Sequence, residues 1–154
     1  MASPSAGGGS SPRASPRKKV KRENDADRMK HHPGYDKQER FYNASCGAKL
    51  FYDIYMPLTK RPDDAKDFLF IHGWSGSGAY YQLALDSLFE RINGSKRPKT
   101  PIGTIVVVDL RGHGRNCKEN KHSHLARLAV DIWELIQEEG LDHVVAIGSS
   151  LGGK

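Results

Sequence analysis

Hydrophobic and polar positions change rhythm along this chain. Between Lys49 and Met56, the residues Leu50, Tyr52, Ile54 and Met56 alternate with Lys49, Phe51, Asp53 and Tyr55, a period of two that predicts a strand. The run before it, "ERFYNAS", is also rich in aromatic residues, and Cys46-Gly47-Ala48 separates the two. Together they predict an antiparallel hairpin that starts near Glu39 and is closed by Pro57. Beyond a polar loop the alternation stops. "DFLFIHG", "TIVVVDLRGHG" and "HVVAIG" are continuous apolar runs, as in parallel strands covered on both faces. Helical spacing fills the gaps: Tyr81, Leu85, Leu88, Phe89 and Ile92 in the first, and Leu125, Leu128, Ala129, Ile132, Leu135 and Ile136 in the second, which Gly140 should end.

A hairpin followed by strand, helix, strand, helix and strand predicts an α/β fold with a largely parallel sheet. The predicted domain covers residues 39–154. Residues 1–38 are predicted to be a disordered tail, since "MASPSAGGGSSPRASPRKKVKRENDADR" is Ser-, Pro-, Gly- and Arg-rich and has almost nothing to bury. The chain is long enough for one core, and it has no internal repeat.

Charge divides the chain the same way. The formal net charge is +6, from 24 basic and 18 acidic residues. Residues 1–22 hold six of the bases and no acid, so the remainder carries 18 of each and is neutral. Any attraction to a polyanion therefore rests on the tail. There, Lys18-Lys19-Val20-Lys21 resembles a nuclear-import signal, which makes import machinery or nucleic acid a candidate partner. A solvated basic segment or an organelle transit peptide are the alternatives. Ser15-Pro16-Arg17-Lys18 resembles a proline-directed kinase site. Two cysteines and no apolar segment long enough for a signal peptide or membrane span point to a reducing compartment, the cytoplasm, with the nucleus as the second option. His113, His122 and His124 are close in sequence and His31 and His32 are adjacent, but the spacing fits no metal site, and no metal or other cofactor is expected.

Candidate chemistry lies at the ends of the three buried runs. "IGSSLGG" contains two serines, and a nucleophile on a tight strand-to-turn bend needs a glycine two positions away on each side. Ser150 satisfies this with Gly148 and Gly152; Ser149 would have Ile147 and Leu151. Upstream, "HGWSGSG" and "DLRGHG" leave the ends of the other two runs, the edge where parallel-sheet proteins place their sites.

These three motifs, one per strand and in this order, resemble the α/β-hydrolase fold family in its serine-nucleophile branch, and the likeness runs from about Arg40 to Lys154. The resemblance implies that Ser150 is the nucleophile and that the N–H groups of Trp74 and Leu151 form an oxyanion hole. It implies that His72 and Gly73, with Gly148 and Gly152, support the loops, and that Asp109, Arg111 and His113 brace rather than react. It implies a small-molecule acyl substrate, a carboxylic ester or a related compound. A serine also argues against the branches of the family that hydrolyse epoxides or haloalkanes, where an aspartate occupies the bend.

The family order places an acid and a histidine after the serine, and four residues follow Ser150 here. The reading is therefore the N-terminal portion of a serine hydrolase, expected to be inactive as this 154-residue chain. Two alternatives stay open: a non-catalytic binding protein on the same fold, and a basic-tail interaction protein.

Overall fold

A computed structural model describes residues 32–94 and 99–154. The basic tail of residues 1–31, with its import-like and kinase-like motifs, lies outside the described residues. Five strands form one sheet: β1 (Tyr35–Asn43), β2 (Lys49–Pro57), β3 (Lys66–Ile71), β4 (Ile102–Val108) and β5 (Val145–Gly148), in the order β1-β2-β4-β3-β5. β1 pairs antiparallel with β2 and β2 with β4, while β3 runs parallel to both β4 and β5. Helix α1 (Gln82–Asn93) joins β3 to β4, and α2 (Leu125–Glu139) joins β4 to β5. The predicted hairpin and the strand-helix alternation are both present.

The sheet has a covered face on each side, which is why its central strands read as continuous apolar runs. Leu69 and Ile71 of β3 and Val106 and Val108 of β4 pack with Leu50, Tyr52 and Ile54 against Leu128 and Leu135 of α2. The intervening residues Phe70, Ile105 and Val107 point the other way, with Tyr35 and Tyr55, against Leu85 and Phe89 of α1. Successive strand residues alternate faces, so each apolar run feeds both cores at once. Gly140 ends α2 in the left-handed region at φ +60°, and the following Leu141 N–H returns to Ile136 O at 3.0 Å, a cap that glycine adopts without steric cost.

Two details differ from the sequence reading. β1 begins at Tyr35, inside the stretch read as tail. "YDKQ" looks like a polar linker, but Tyr35 is buried and its hydroxyl donates to Ile102 O at 2.9 Å. Gln38 is buried too, and its side-chain oxygen accepts from Arg40, which is paired with Glu139 at the end of α2. Polar residues with partners in the fold do not announce themselves by hydropathy. β5 starts at Val145 rather than His143, because His143 sits at φ +49° and takes the chain out of the strand. β5 is an edge strand among the described residues, and most of its residues are exposed although the run is apolar.

Candidate active site

The chain goes from β3 to β4 on one side and then back past β3 to β5 on the other. Strand order therefore reverses at the C-terminal end of β3, and α/β sheets open a crevice at such a point. Three segments leave the strand ends here: residues 72–78 after β3, 109–117 after β4 and 149–153 after β5. Every site residue named from the sequence lies on this edge.

The turn after β5 leaves no room for side chains at Gly148 or Gly152. Ser150 is exposed and has φ +52°, a left-handed conformation that a residue with a Cβ rarely adopts, at a cost of about 1–3 kcal/mol. Ser149 is extended at φ −113°. The strained serine is thus Ser150, and its two glycines are needed for space. A Cβ on Gly148 would overlap the Gly152 carbonyl, and a Cβ on Gly152 would overlap the Ile71 carbonyl at the end of β3. Two bonds fix the bend: Ser149 N–H donates to Ile71 O at 3.1 Å and Gly152 N–H to Ser149 O at 2.9 Å. Residues 150–153 then make a single 3₁₀ turn.

The segment after β3 runs directly alongside. A Cβ on Gly73 would be 3.1 Å from Ser149 O and 3.2 Å from the Ser150 Cβ, so glycine lets the two backbones meet. Gly76 N–H donates to Gly73 O at 3.2 Å, closing a turn in which Ser75 has φ +57°. Among the described residues, neither the Trp74 N–H nor the Leu151 N–H donates to a protein acceptor. Two unspent donors thus flank the serine, one on each loop. The Trp74 indole is largely exposed and meets the His113 ring edge-on at 5.3 Å.

His72 is fully buried, and both its ring nitrogens are engaged. Nδ1 lies 2.7 Å from Gly73 O, and Nε2 accepts from Leu110 N–H at 2.9 Å. That pattern requires the neutral tautomer with the proton on Nδ1. Burial lowers its pKa below the ordinary histidine value, and the nearby His113 adds to this. With both nitrogens committed, His72 cannot take the serine proton. Its bond to Gly73 O fixes the peptide plane that carries the Trp74 N–H, and its bond to Leu110 ties β3 to β4.

Asp109 joins the two remaining loops. Its carboxylate accepts from Gly78 N–H at 2.6 Å, and from Arg115 N–H at 3.1 Å and Arg115 Nε at 2.7 Å. Burial by itself would raise its pKa; these hydrogen bonds and the guanidinium outweigh burial and hold the carboxyl below the usual range. Arg111 makes a two-pronged bond to Asp131 of α2 at 2.7 and 2.8 Å, with both side chains buried. The side chains of Asp109 and Arg111 are thus both committed to bonds within the fold. Tyr81 is a residue the sequence reading treated as helix packing. Its hydroxyl donates to Ile71 O at 2.9 Å and lies 3.4 Å from Ile147 O.

Among the described residues no side chain hydrogen-bonds the Ser150 hydroxyl, and no group of three or more His, Cys, Asp or Glu could hold a metal ion. No helix among them is long and apolar enough to cross a membrane. A cavity of about 430 Å³ around Pro33, Tyr35, Pro101 and Ile102 lies at the opposite end of the sheet and shares no residue with this site.

A sheet with a reversal at β3, a strained serine after β5 and a glycine loop after β3 define an α/β-hydrolase fold. Residues 68–154 match the model of the alpha/beta hydrolase family, and the chain belongs to that family. It is similar to a probable alcohol acetyltransferase of Wickerhamomyces anomalus, 35% identical over 113 residues that are 69% of this chain and 30% of that protein. It is also similar to a pimeloyl-[acyl-carrier protein] methyl ester esterase of Vibrio campbellii, 31% identical over 87 residues, 56% of this chain and 28% of the esterase. Among solved structures, the peroxisomal alpha-beta-hydrolase Lpx1 of Saccharomyces cerevisiae superposes with a TM-score of 0.62 at 20% identity, covering 77% of this chain and 38% of that one. The chain thus spans less than a third of the length of those two curated relatives.

Proposed function

We propose that Ser150 is the nucleophile of a hydrolase acting on carboxylic esters or related acyl compounds. The observation that carries this reading is the conformation of Ser150. Ser75, His122 and His143 also have positive φ, but of these four residues only Ser150 combines it with exposure at the sheet's reversal point and a space-limited glycine two positions away on each side. In the reaction, Ser150 Oγ attacks the acyl carbon and gives its proton to a general base. The carbonyl oxygen becomes an oxyanion facing the N–H groups of Trp74 and Leu151. Collapse expels the alcohol, which takes up the proton from the base, and water then releases the acid and regenerates the serine. Each donor would contribute about 3–4 kcal/mol, because neither must reorganise as charge develops.

His72 is not that base. Serine without a base is a weak nucleophile at neutral pH, so residues 1–154 alone are expected not to turn over esters. The Wickerhamomyces relative is named as an acetyltransferase to alcohol, and an acyl-serine accounts for both outcomes, since either water or an alcohol can accept the acyl group. The test is hydrolysis of p-nitrophenyl esters of increasing chain length by the longest form of the protein that its gene encodes. Turnover that disappears in Ser150→Ala and persists in Ser149→Ala is the expected result. Turnover untouched by Ser150→Ala would refute the proposal.

A further inference from the structure

We propose that the Tyr81 hydroxyl is a positioning group for the nucleophile bend, clamping the ends of β3 and β5 together three residues before Ser150. The proposal rests on the reading of Ser150 as nucleophile.

Tyr81 closes the 3₁₀ turn (Gly78–Tyr81) that immediately follows the glycine loop after β3. It is buried, and its ring packs against Phe70 with centroids 5.0 Å apart, which sets the direction of the hydroxyl. The hydroxyl reaches two strand ends together, 2.9 Å from Ile71 O and 3.4 Å from Ile147 O. Ile71 O is also the acceptor for Ser149 N–H at 3.1 Å, and it is the atom that any side chain on Gly152 would strike. One carbonyl oxygen therefore sets the distance between β3 and the bend, and the Tyr81 hydroxyl shares it with the Ser149 N–H. Burial raises the phenol's pKa, so the group keeps its proton and remains a donor through the neutral range.

The clamp also couples the two loops. Residues 72–78 lead straight into the turn that carries Tyr81, so a shift of that turn moves the Trp74 N–H, while a shift of Ile147 moves Ser150. Apolar packing alone would not need the oxygen. Tyrosine rather than phenylalanine at this position is explained by the two carbonyls it faces.

The experiment compares Tyr81→Phe with Tyr35→Phe in the longest natural form of the protein. Tyr35 is a matched control, since its buried hydroxyl also donates to a backbone carbonyl, Ile102 O at 2.9 Å, but at the far end of the sheet. Both variants should lose similar thermal stability. Misplacement by fractions of an ångström is costly in the reaction, so kcat on a p-nitrophenyl ester should fall about tenfold in Tyr81→Phe with KM nearly unchanged. Tyr35→Phe should keep both. Amide exchange at Ser149 should accelerate in Tyr81→Phe alone. Ser150-dependent turnover in the parent with undiminished kcat in Tyr81→Phe would overturn the clamp and leave the nucleophile intact. Turnover independent of Ser150 would overturn both. If Tyr81→Phe does not fold, Tyr81→Trp carries the test. Its indole N–H keeps a donor, Ser149 exchange should stay slow, and fast exchange in that variant would overturn the proposal.

Discussion

The Cα of Gly152 lies so close to the Ile71 carbonyl that no side chain fits between them. This contact joins the end of β3 to the bend that carries Ser150. The obstructing atoms are backbone on both sides, so nothing flexible can yield. Gly152→Ala should therefore lower unfolding free energy by about 1–3 kcal/mol, the usual cost of overfilling a packed site. Gly153→Ala is the control, because its Cβ would meet nothing nearer than Gly148 O at 3.6 Å. Urea denaturation of the two variants distinguishes them, with Gly153→Ala within about 0.5 kcal/mol of the parent.

Asp109→Asn tests the brace between the loops. Asparagine keeps the shape but removes a charge that accepts three hydrogen bonds, from Gly78 and twice from Arg115. The expected loss is about 1.5–3 kcal/mol at pH 7. The folded pKa of Asp109 is lowered, so its contribution is complete above the unfolded value of about 3.9 and disappears as pH falls through the folded one. The gap between parent and variant in urea denaturation should therefore narrow below pH 4. A gap independent of pH would mean that the carboxylate charge is not what braces the loop.

His72 gives a stability change of the same sense at higher pH. Its folded pKa is depressed, so between that value and the unfolded value of about 6.5 the unfolded chain binds more protons than the folded one. Stability from this group is full above about pH 6.5 and is lost as the pH falls toward the folded pKa. Protonated Nε2 could no longer accept the Leu110 N–H, and the tie between β3 and β4 would break. His72→Gln should be less stable than the parent at pH 7.5, with the difference shrinking at pH 5.5. Chemical denaturation at the two pH values reads this directly, and a constant difference would contradict the account of a neutral, doubly bonded imidazole.

The fold was largely legible because its signals are cooperative. Alternation marked β2, continuous apolar runs marked β3 and β4, and each helix showed a full apolar stripe. The start of β1 was not legible, since Tyr35 is held by a carbonyl 67 residues away and Gln38 by the Arg40 side chain, and hydropathy is blind to such bonds. The bend was legible for a steric reason: only Ser150 has glycine at both positions where a Cβ would collide. The supporting roles of His72 and Asp109 had only a family likeness behind them until the strand ends were in place. Tyr81 was hidden by its own hydrophobicity. Its ring fits the helical stripe, and nothing in a sequence tells which carbonyls its hydroxyl will face.

The most direct measurement is covalent labelling with a fluorophosphonate, applied to the longest natural form of the protein and followed by mass mapping of the modified peptide. The account predicts one adduct, on Ser150, that persists in Ser149→Ala and is absent from Ser150→Ala. An adduct on Ser149, or labelling that survives Ser150→Ala, would contradict it.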